Sequence, residues 1–325
     1  MTAREKLGAL LAAAAVCAMS PASTWAQSYP AKPVQLVVPA APGGSTDLFA
    51  RKFAERLDKQ LGASVVVVSK GGGSGTIGTG DVARAAPDGY TLLMGTTGNV
   101  VINPLTMKLN FDPVKDLSPI AVLGFVSFAI NVNKDLGVDS VEEFVRLVKA
   151  SPEKYSYVTN GPAGFIHMIT ELFSKQAGLQ MVAVPYPGGS AMQQDLITGR
   201  VQVYFDAFNS ALRFHRSGQT RLLATTGSER SPVAPEIPTV SEAGMPGYVA
   251  ETAFMLMAPA GIPAEVRKRL VEATRTVMAD KALWEELEGM GVRAVTESDP
   301  EAANAYIRAE FDKWTPVVKS LQKGG

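Results

Sequence analysis

The chain is poor in the residues that most chemistry needs. Among 325 residues there is one cysteine, Cys17, and there are two histidines, His167 and His215. A single cysteine excludes an internal disulfide framework, and two histidines without an H-E-x-x-H or a Cys partner exclude zinc sites of familiar spacing. No G-x-S-x-G elbow is present, and no lysine follows a glycine run as in a phosphate-binding loop. Net charge is also missing: 31 basic residues balance 31 acidic ones. No run of like charge stands out, which argues against a nucleic-acid surface or a polybasic membrane patch. Beyond the N-terminus no apolar run approaches the roughly 20 residues that cross a bilayer. Internal repeats and low-complexity segments are absent as well.

What is present begins with an export signal. Arg4 and Lys6 form a positive n-region, Leu7 to Met19 run apolar without a charge, and small residues lead to Ala26. That is the layout of a secretory signal peptide spanning residues 1–26. Val16 stands where a lipoprotein would carry a small residue before its acylated Cys17. The expected product is therefore a free periplasmic protein beginning near Gln27, without cysteine, as suits a bacterial periplasm. About 299 residues remain after cleavage, enough for two cores of ordinary size.

Short apolar runs alternate with helical periods, which indicates an α/β fold with largely parallel sheets. Strands are expected at Val34–Pro39, Val65–Val68, Tyr90–Met94, around Val122–Val132, and at Tyr155–Val158, Val182–Val184, Val201–Phe205 and Arg221–Thr225. Helices are expected at Thr46–Leu61, Val141–Lys149 behind the cap Ser140, Ile166–Gln176 and Ala191–Ile197. The C-terminal part reads as helical at Ala264–Met278, Lys281–Gly289 and Glu301–Leu321.

Three loops share one design: each follows an expected strand, is rich in glycine, and opens an expected helix. They are Pro42-Gly43-Gly44-Ser45-Thr46-Asp47, Asn160-Gly161-Pro162-Ala163-Gly164 and Pro187-Gly188-Gly189-Ser190. The first amides of a helix have no intrahelical partner and point outward as donors for an anion. Open α/β sheets bind ligands at the carboxyl ends of their strands, where these loops fall. Each loop alone could be a plain turn with Ser45 or Ser190 as cap; three together favour a carboxylate site. Gly73-Ser74-Gly75-Thr76-Ile77-Gly78 matches a dinucleotide fingerprint, but the next strand ends without the acidic residue that would bind ribose. No cofactor is expected. A different class remains open, a periplasmic hydrolase using Ser45 or Ser190 with His167.

The same residues carry a family resemblance from Tyr29 to the C-terminus. Tyr29-Pro30-Ala31-Lys32-Pro33, Lys70 to Gly78, Ala86-Pro87-Asp88-Gly89-Tyr90-Thr91-Leu92, Val184-Pro185-Tyr186 with Gly188-Gly189, Ile237-Pro238-Thr239-Val240 and Ala258-Pro259-Ala260-Gly261 occur in order. The chain thereby resembles the extracytoplasmic receptors of tripartite tricarboxylate transporters, the Bug family (Bordetella uptake gene type). The resemblance implies a two-domain periplasmic binding protein, a Venus flytrap with its ligand cleft between the domains. By analogy, residues 27–125 plus 250–325 form domain 1 and residues 126–249 form domain 2. It further implies a monomer that captures a small organic carboxylate and delivers it to a tripartite-type membrane permease or to a sensor, without catalysing a reaction.

Site residues carry over in three segments. The loop after the first strand supplies Pro42, Gly43, Gly44 and Ser45, with Asp47 serving either the ligand or the helix dipole. The second domain supplies Thr159, Asn160, Gly161, Ala163 and Gly164, with His167 beside them. Tyr186, Gly188 and Gly189 match a third segment, and Asp206 matches an acidic position able to meet an ammonium or hydroxyl. Departures from the pattern bear on the ligand. Ala40 sits where an aromatic is common, Pro187 where lysine is common, Gly164 where serine is usual, and Phe165 is apolar. If Phe165 faces the cleft, an aromatic or medium-chain acid should bind better than citrate; if it points into the core, it says nothing of the ligand.

Overall fold

The structure is a computed structural model that describes residues 29–161, 164–186 and 189–321, with only the backbone described at 189 and 190. The signal-peptide reading, together with residues Pro162, Ala163, Pro187 and Gly188, lies outside the described residues.

The first elements follow their patterns closely. β1 (Val34–Val38) is a run of β-branched and apolar residues buried at all but one position. α1 (Ser45–Leu61) buries Phe49, Phe53, Leu57 and Leu61, a strict four-residue spacing along one face. β2 (Val65–Ser69), α2 (Thr76–Ala83), β3 (Thr91–Thr96) and the short α3 (Asn103–Thr106) complete this part. β4 (Leu117–Asn133) then runs for 17 residues. After it come α4 (Val141–Ala150), β5 (Ser156–Thr159), α5 (Phe165–Ala177), β6 (Val182–Pro185), α6 (Gly189–Ile197), β7 (Val203–Ala207), α7 (Phe208–Arg216) and β8 (Thr220–Thr225). β9 (Glu251–Pro259), α8 (Ala264–Met278), α9 (Lys281–Gly289), β10 (Val292–Ala294) and α10 (Pro300–Leu321) close the chain.

All ten strands join one sheet in the order β2-β1-β3-β9-β4-β7-β5-β6, with β8 and β10 also on β4. β1 pairs in parallel with β2 and β3, and β5 pairs in parallel with β6 and β7. β4 connects these two parallel groups. Its first part, Leu117 to Ser127, pairs antiparallel with β9, and its last part, from Phe128, pairs with β7 and β8. The change of partners falls between Ser127 and Phe128.

Two long stretches differ from the sequence expectation. β9 was not anticipated: its sequence ETAFMLMAP is rich in Ala and Met, so neither alternation nor β-branching marks it. α7 also went unread, because its apolar positions are few and a polar pair, Asn209-Ser210, opens it. The strand expected at Val201–Phe205 starts two residues later, at Val203.

α10 packs against both β4 and α5. Trp314 is fully buried, with its indole N–H on Glu310 Oε2 at 2.8 Å, and belongs to a buried cluster that continues from Leu93 and Val101 to Tyr157 and Phe173. The Phe165 ring meets Trp314 edge-on at 5.7 Å and Phe128 at 5.3 Å. Phe165 therefore packs at the junction where β4 changes partners. Two of its neighbours are thus the chain's own rings and the ring is half-buried, which weakens the argument for an apolar ligand that depended on Phe165 facing the cleft.

Candidate functional site

The three glycine loops all lie at carboxyl ends of parallel strands, β1, β5 and β6. In the first, Pro42, Gly43, Gly44 and Ser45 are exposed. Asp47 is not: it is 1% exposed and its carboxylate is spent within the chain. It accepts from the Gly43 amide at 2.9 Å, from Ser69 Oγ at 2.6 Å, and from the Arg51 guanidinium at 2.9 and 3.2 Å. The Arg51 hydrogen bond holds its pKa down to about 2, with the Gly43 and Ser69 donors adding to the effect against the cost of burial. Asp47 thus ties the loop to the helix and to the end of β2, and it engages the Arg51 guanidinium. The amides of Gly44, Ser45 and Thr46 have no backbone acceptor among the described residues. An anion here would meet amides and hydroxyls, while the Arg51 guanidinium beside them is engaged by Asp47.

In the second loop Thr159 is buried and donates through Oγ1 to the Gly161 carbonyl at 3.1 Å, while the Gly164 amide donates to the same carbonyl at 2.9 Å. Gly161 has φ +99°, a conformation that other residues rarely hold. A Cβ added at Gly164 would lie 1.8 Å from Asn160 Oδ1. The Asn160 side chain therefore fills the space a serine would need, which accounts for glycine at this helix start.

His167 stands on the first turn of α5, its ring stacked on Tyr157 and its Nδ1 2.8 Å from the Tyr157 hydroxyl. Tyr157 gives its only proton to Glu171, so His167 Nδ1 must be the donor and Nε2 the open acceptor. Burial lowers the His167 pKa, which keeps the ring neutral at pH 7. No hydrogen bond joins Ser45 to His167 among the described residues, and the Ser190 side chain lies outside them.

In the third segment the Tyr186 amide donates to the Thr159 carbonyl at 2.8 Å and its hydroxyl to Asp195 Oδ2 at 2.6 Å. Gly189 opens α6. Asp206, next to the end of β7, is 4% exposed, and burial pushes its pKa up to about 6 against the pull of Ser210, the Ala207 amide, Tyr204 and Arg213. Sequence reasoning missed one residue that the fold brings to Asp206. Gln193 on α6 is 7% exposed; its position beside the core residues Met192 and Leu196 was the available signal.

The dinucleotide-like glycines do a different job. The Ser74 carbonyl accepts from Asn99 Nδ2 at 3.1 Å and Asn103 Nδ2 at 3.0 Å. A Cβ at Gly75, where φ is +88°, would sit 2.2 Å from Asn99 Nδ2 and 2.8 Å from the Pro39 carbonyl. Gly75→Ala is therefore expected to cost about 1–3 kcal/mol of stability and to leave carboxylate affinity unchanged. Urea unfolding paired with calorimetric titration would check both; lost affinity at full stability would put this loop in the site.

Comparisons with known proteins agree with one another. Residues 49–323 match the family described as "Tripartite tricarboxylate transporter family receptor". Protein BugT of Bordetella pertussis is 34% identical over 319 residues, covering 96% of this chain and 95% of BugT. Among solved structures, the periplasmic binding protein BugD superposes with a TM-score of 0.76 at 31% identity, over 90% of this chain and 98% of BugD. R. palustris Rpa4515 with adipate superposes with a TM-score of 0.79 at 32% identity, over 90% and 97% of the two chains.

Proposed function

From the premise that this chain belongs to the tripartite tricarboxylate transporter receptor family, we propose that it captures a small organic carboxylate between two lobes through the amides of its glycine loops. Family members are periplasmic binding proteins that serve tripartite transporters, and they are receptors, not enzymes. Among the described residues no helix is long and apolar enough to cross a membrane. The relative Rpa4515 holds adipate, which supports a carboxylate here.

The observation that carries the reading is the start of α1. Three consecutive amides, Gly44 to Thr46, are open, while the adjacent carboxylate and guanidinium neutralise each other. A ligand carboxylate fits such a place without needing a counter-charge. The proposed contacts are Pro42 to Ser45 on one lobe, and Thr159 to Gly164, His167, Tyr186, Gly188, Gly189 and Asp206 on the other. Asp47 acts through the Gly43 amide. The proposed lobes are residues 27–125 plus 250–325 and 126–249, and the exchange of β4 partners after Ser127 supports a boundary there. Each lobe supplies one wall, so one chain suffices as a monomer. Residues 1–26 are proposed to direct export, and a tripartite-type permease is the proposed recipient.

Ligand binding to the folded chain alone should raise its melting temperature. At about 100 times the dissociation constant the gain is about 2.7 kcal/mol. A thermal-shift panel of aliphatic, hydroxylated and aromatic carboxylates is expected to give at least one such shift. A panel without any shift would overturn the carboxylate reading.

A further inference from the structure

We propose that Arg293 is a charged clasp across the hinge, which sets the balance between lobe arrangements and so tunes carboxylate affinity without touching the ligand. The inference rests on the two-lobe reading and goes further, because it names a contact that regulates closure.

β10 places Arg293 opposite Phe125 of β4, two residues before Ser127, where β4 leaves β9. The guanidinium lies over the Phe125 ring, 4.7 Å from its centroid. Its Nη2 donates to Glu251 Oε2 at 3.0 Å. Glu251 pairs with Ser127 at the start of β9, so this bond stays within the first proposed lobe. The same Nη2 donates to Ser228 Oγ at 3.2 Å, and Nε stands 3.3 Å from Glu229 Oε1. Ser228 and Glu229 follow β8, which pairs with β4 beyond Phe128, so they belong to the second lobe. Among the described residues, Arg293–Glu229 is the one ion pair that joins residues 27–125 and 250–325 to residues 126–249.

The two ends of the clasp differ. Glu251 is 8% exposed, and burial raises its pKa while Arg293 opposes the rise. That buried carboxylate and the Phe125 ring hold the guanidinium in place. The Glu229 side chain is 65% exposed, so its bond is open to water and salt. Beside the clasp lies a cavity of about 270 Å³, lined by Phe125 and Val292 from one lobe and by Phe208, Pro232 and Val233 from the other. The lobes are not packed together at this point, and their segments can shift without displacing a filled core. Phe165 and Trp314 join the lobes elsewhere, through an apolar contact with no charge to screen. Ionic strength therefore acts on the lobes at Arg293. A contact made in one arrangement and lost in the other shifts the equilibrium by its own free energy.

The test compares wild type with Glu229→Gln, Arg293→Met and a control, Arg56→Met. Arg56 also bridges two carboxylates, Asp280 and Glu286, but all three lie in the first lobe. Spin labels at Lys149→Cys and Lys268→Cys, exposed positions on the two lobes, report lobe separation by electron–electron double resonance. The chain after residue 26 has no cysteine of its own. Without ligand, Glu229→Gln and Arg293→Met should move the balance of separations in the same direction, by about 3-fold or more. At low salt, affinity for the best acid of the panel should change by about that factor in both. In 1 M NaCl, where the screening length is about 3 Å, both should come within about 1.5-fold of wild type. Arg56→Met should lower the melting temperature and move neither reading. Separations and affinities equal to wild type in Glu229→Gln and Arg293→Met would overturn the clasp, as would an equal shift in Arg56→Met. Should Arg293→Met fail to fold, Glu229→Gln decides, since Glu229 is exposed. If no carboxylate binds, the receptor reading falls, and the separations alone decide the clasp.

Discussion

Gly44→Val is expected to weaken carboxylate binding by more than about 100-fold while the melting temperature stays close to wild type. Gly44 has φ −74° and ψ 169°, which any residue adopts, and a Cβ there would meet only the Ala41 carbonyl, at 3.6 Å. The backbone therefore loses little. The ligand loses much, because a branched side chain would stand over the open amides of Gly44, Ser45 and Thr46. Hydrogen bonds to a charged partner contribute about 1.5–3 kcal/mol each, and 100-fold in affinity corresponds to about 2.7 kcal/mol. Blocking two such bonds reaches that figure even at the lower end of the range. Calorimetric titration with the best acid of the panel reads the loss, and far-UV circular dichroism checks the fold. Affinity retained in Gly44→Val would move the anion site away from α1.

Asp206→Asn is expected to stabilise the unliganded protein at neutral pH by up to about 3 kcal/mol and to do little at pH 4. The folded-state pKa of about 6 lies above the ordinary carboxylate value of 3.8 because burial disfavours the charge. Between those two values the folded chain binds the proton that the unfolded chain has released. Stability from this group is thus highest below about pH 4, falls as pH rises to about 6, and stays low above. Asn removes the charge and with it the pH-dependent loss. Urea unfolding at pH 4 and at pH 7.5 measures the difference; an equal effect at both would mean that Asp206 is paired in solution. A variant that is sturdier yet less discriminating among ligands would place Asp206 in recognition and not in the core's support.

The parallel strands and most helices were legible because each has a local cause. β1 is a β-branched run, α1 repeats its buried residues every fourth position, and Ser140 caps α4, accepting from the Glu143 amide at 3.1 Å. β9 was not legible: it is buried in the middle of the sheet, so no polar face gives it a period. The glycine loops were legible as helix starts, since glycine before a helix leaves amides open. What the loop residues do to one another was not. Asp47 reads as either ligand contact or helix-dipole partner, and only its four donors show that its carboxylate is already taken. Gln193 and Asp206 lie 13 positions apart on a helix and a strand, and nothing local announces that they share one cavity. Phe165 shows the same limit, for its apolar character was plain while its direction depended on Trp314, far along the chain.

The place of β9 also dictates when the molecule can be finished. β9 lies between β3 and β4, yet 117 residues, 134–250, are made after β4 ends and before β9 begins. A growing chain that has released β3 and β4 still holds two strands with nothing to fill the gap between them. The part of the sheet that is started first is therefore the last to close. Its completion waits for the whole intervening α/β unit, and pairings this distant in sequence form slowly. The polypeptide carries its own delay: β1, β2 and β3 can pair early, but the inner edge of β3 has no partner until Pro259 has emerged.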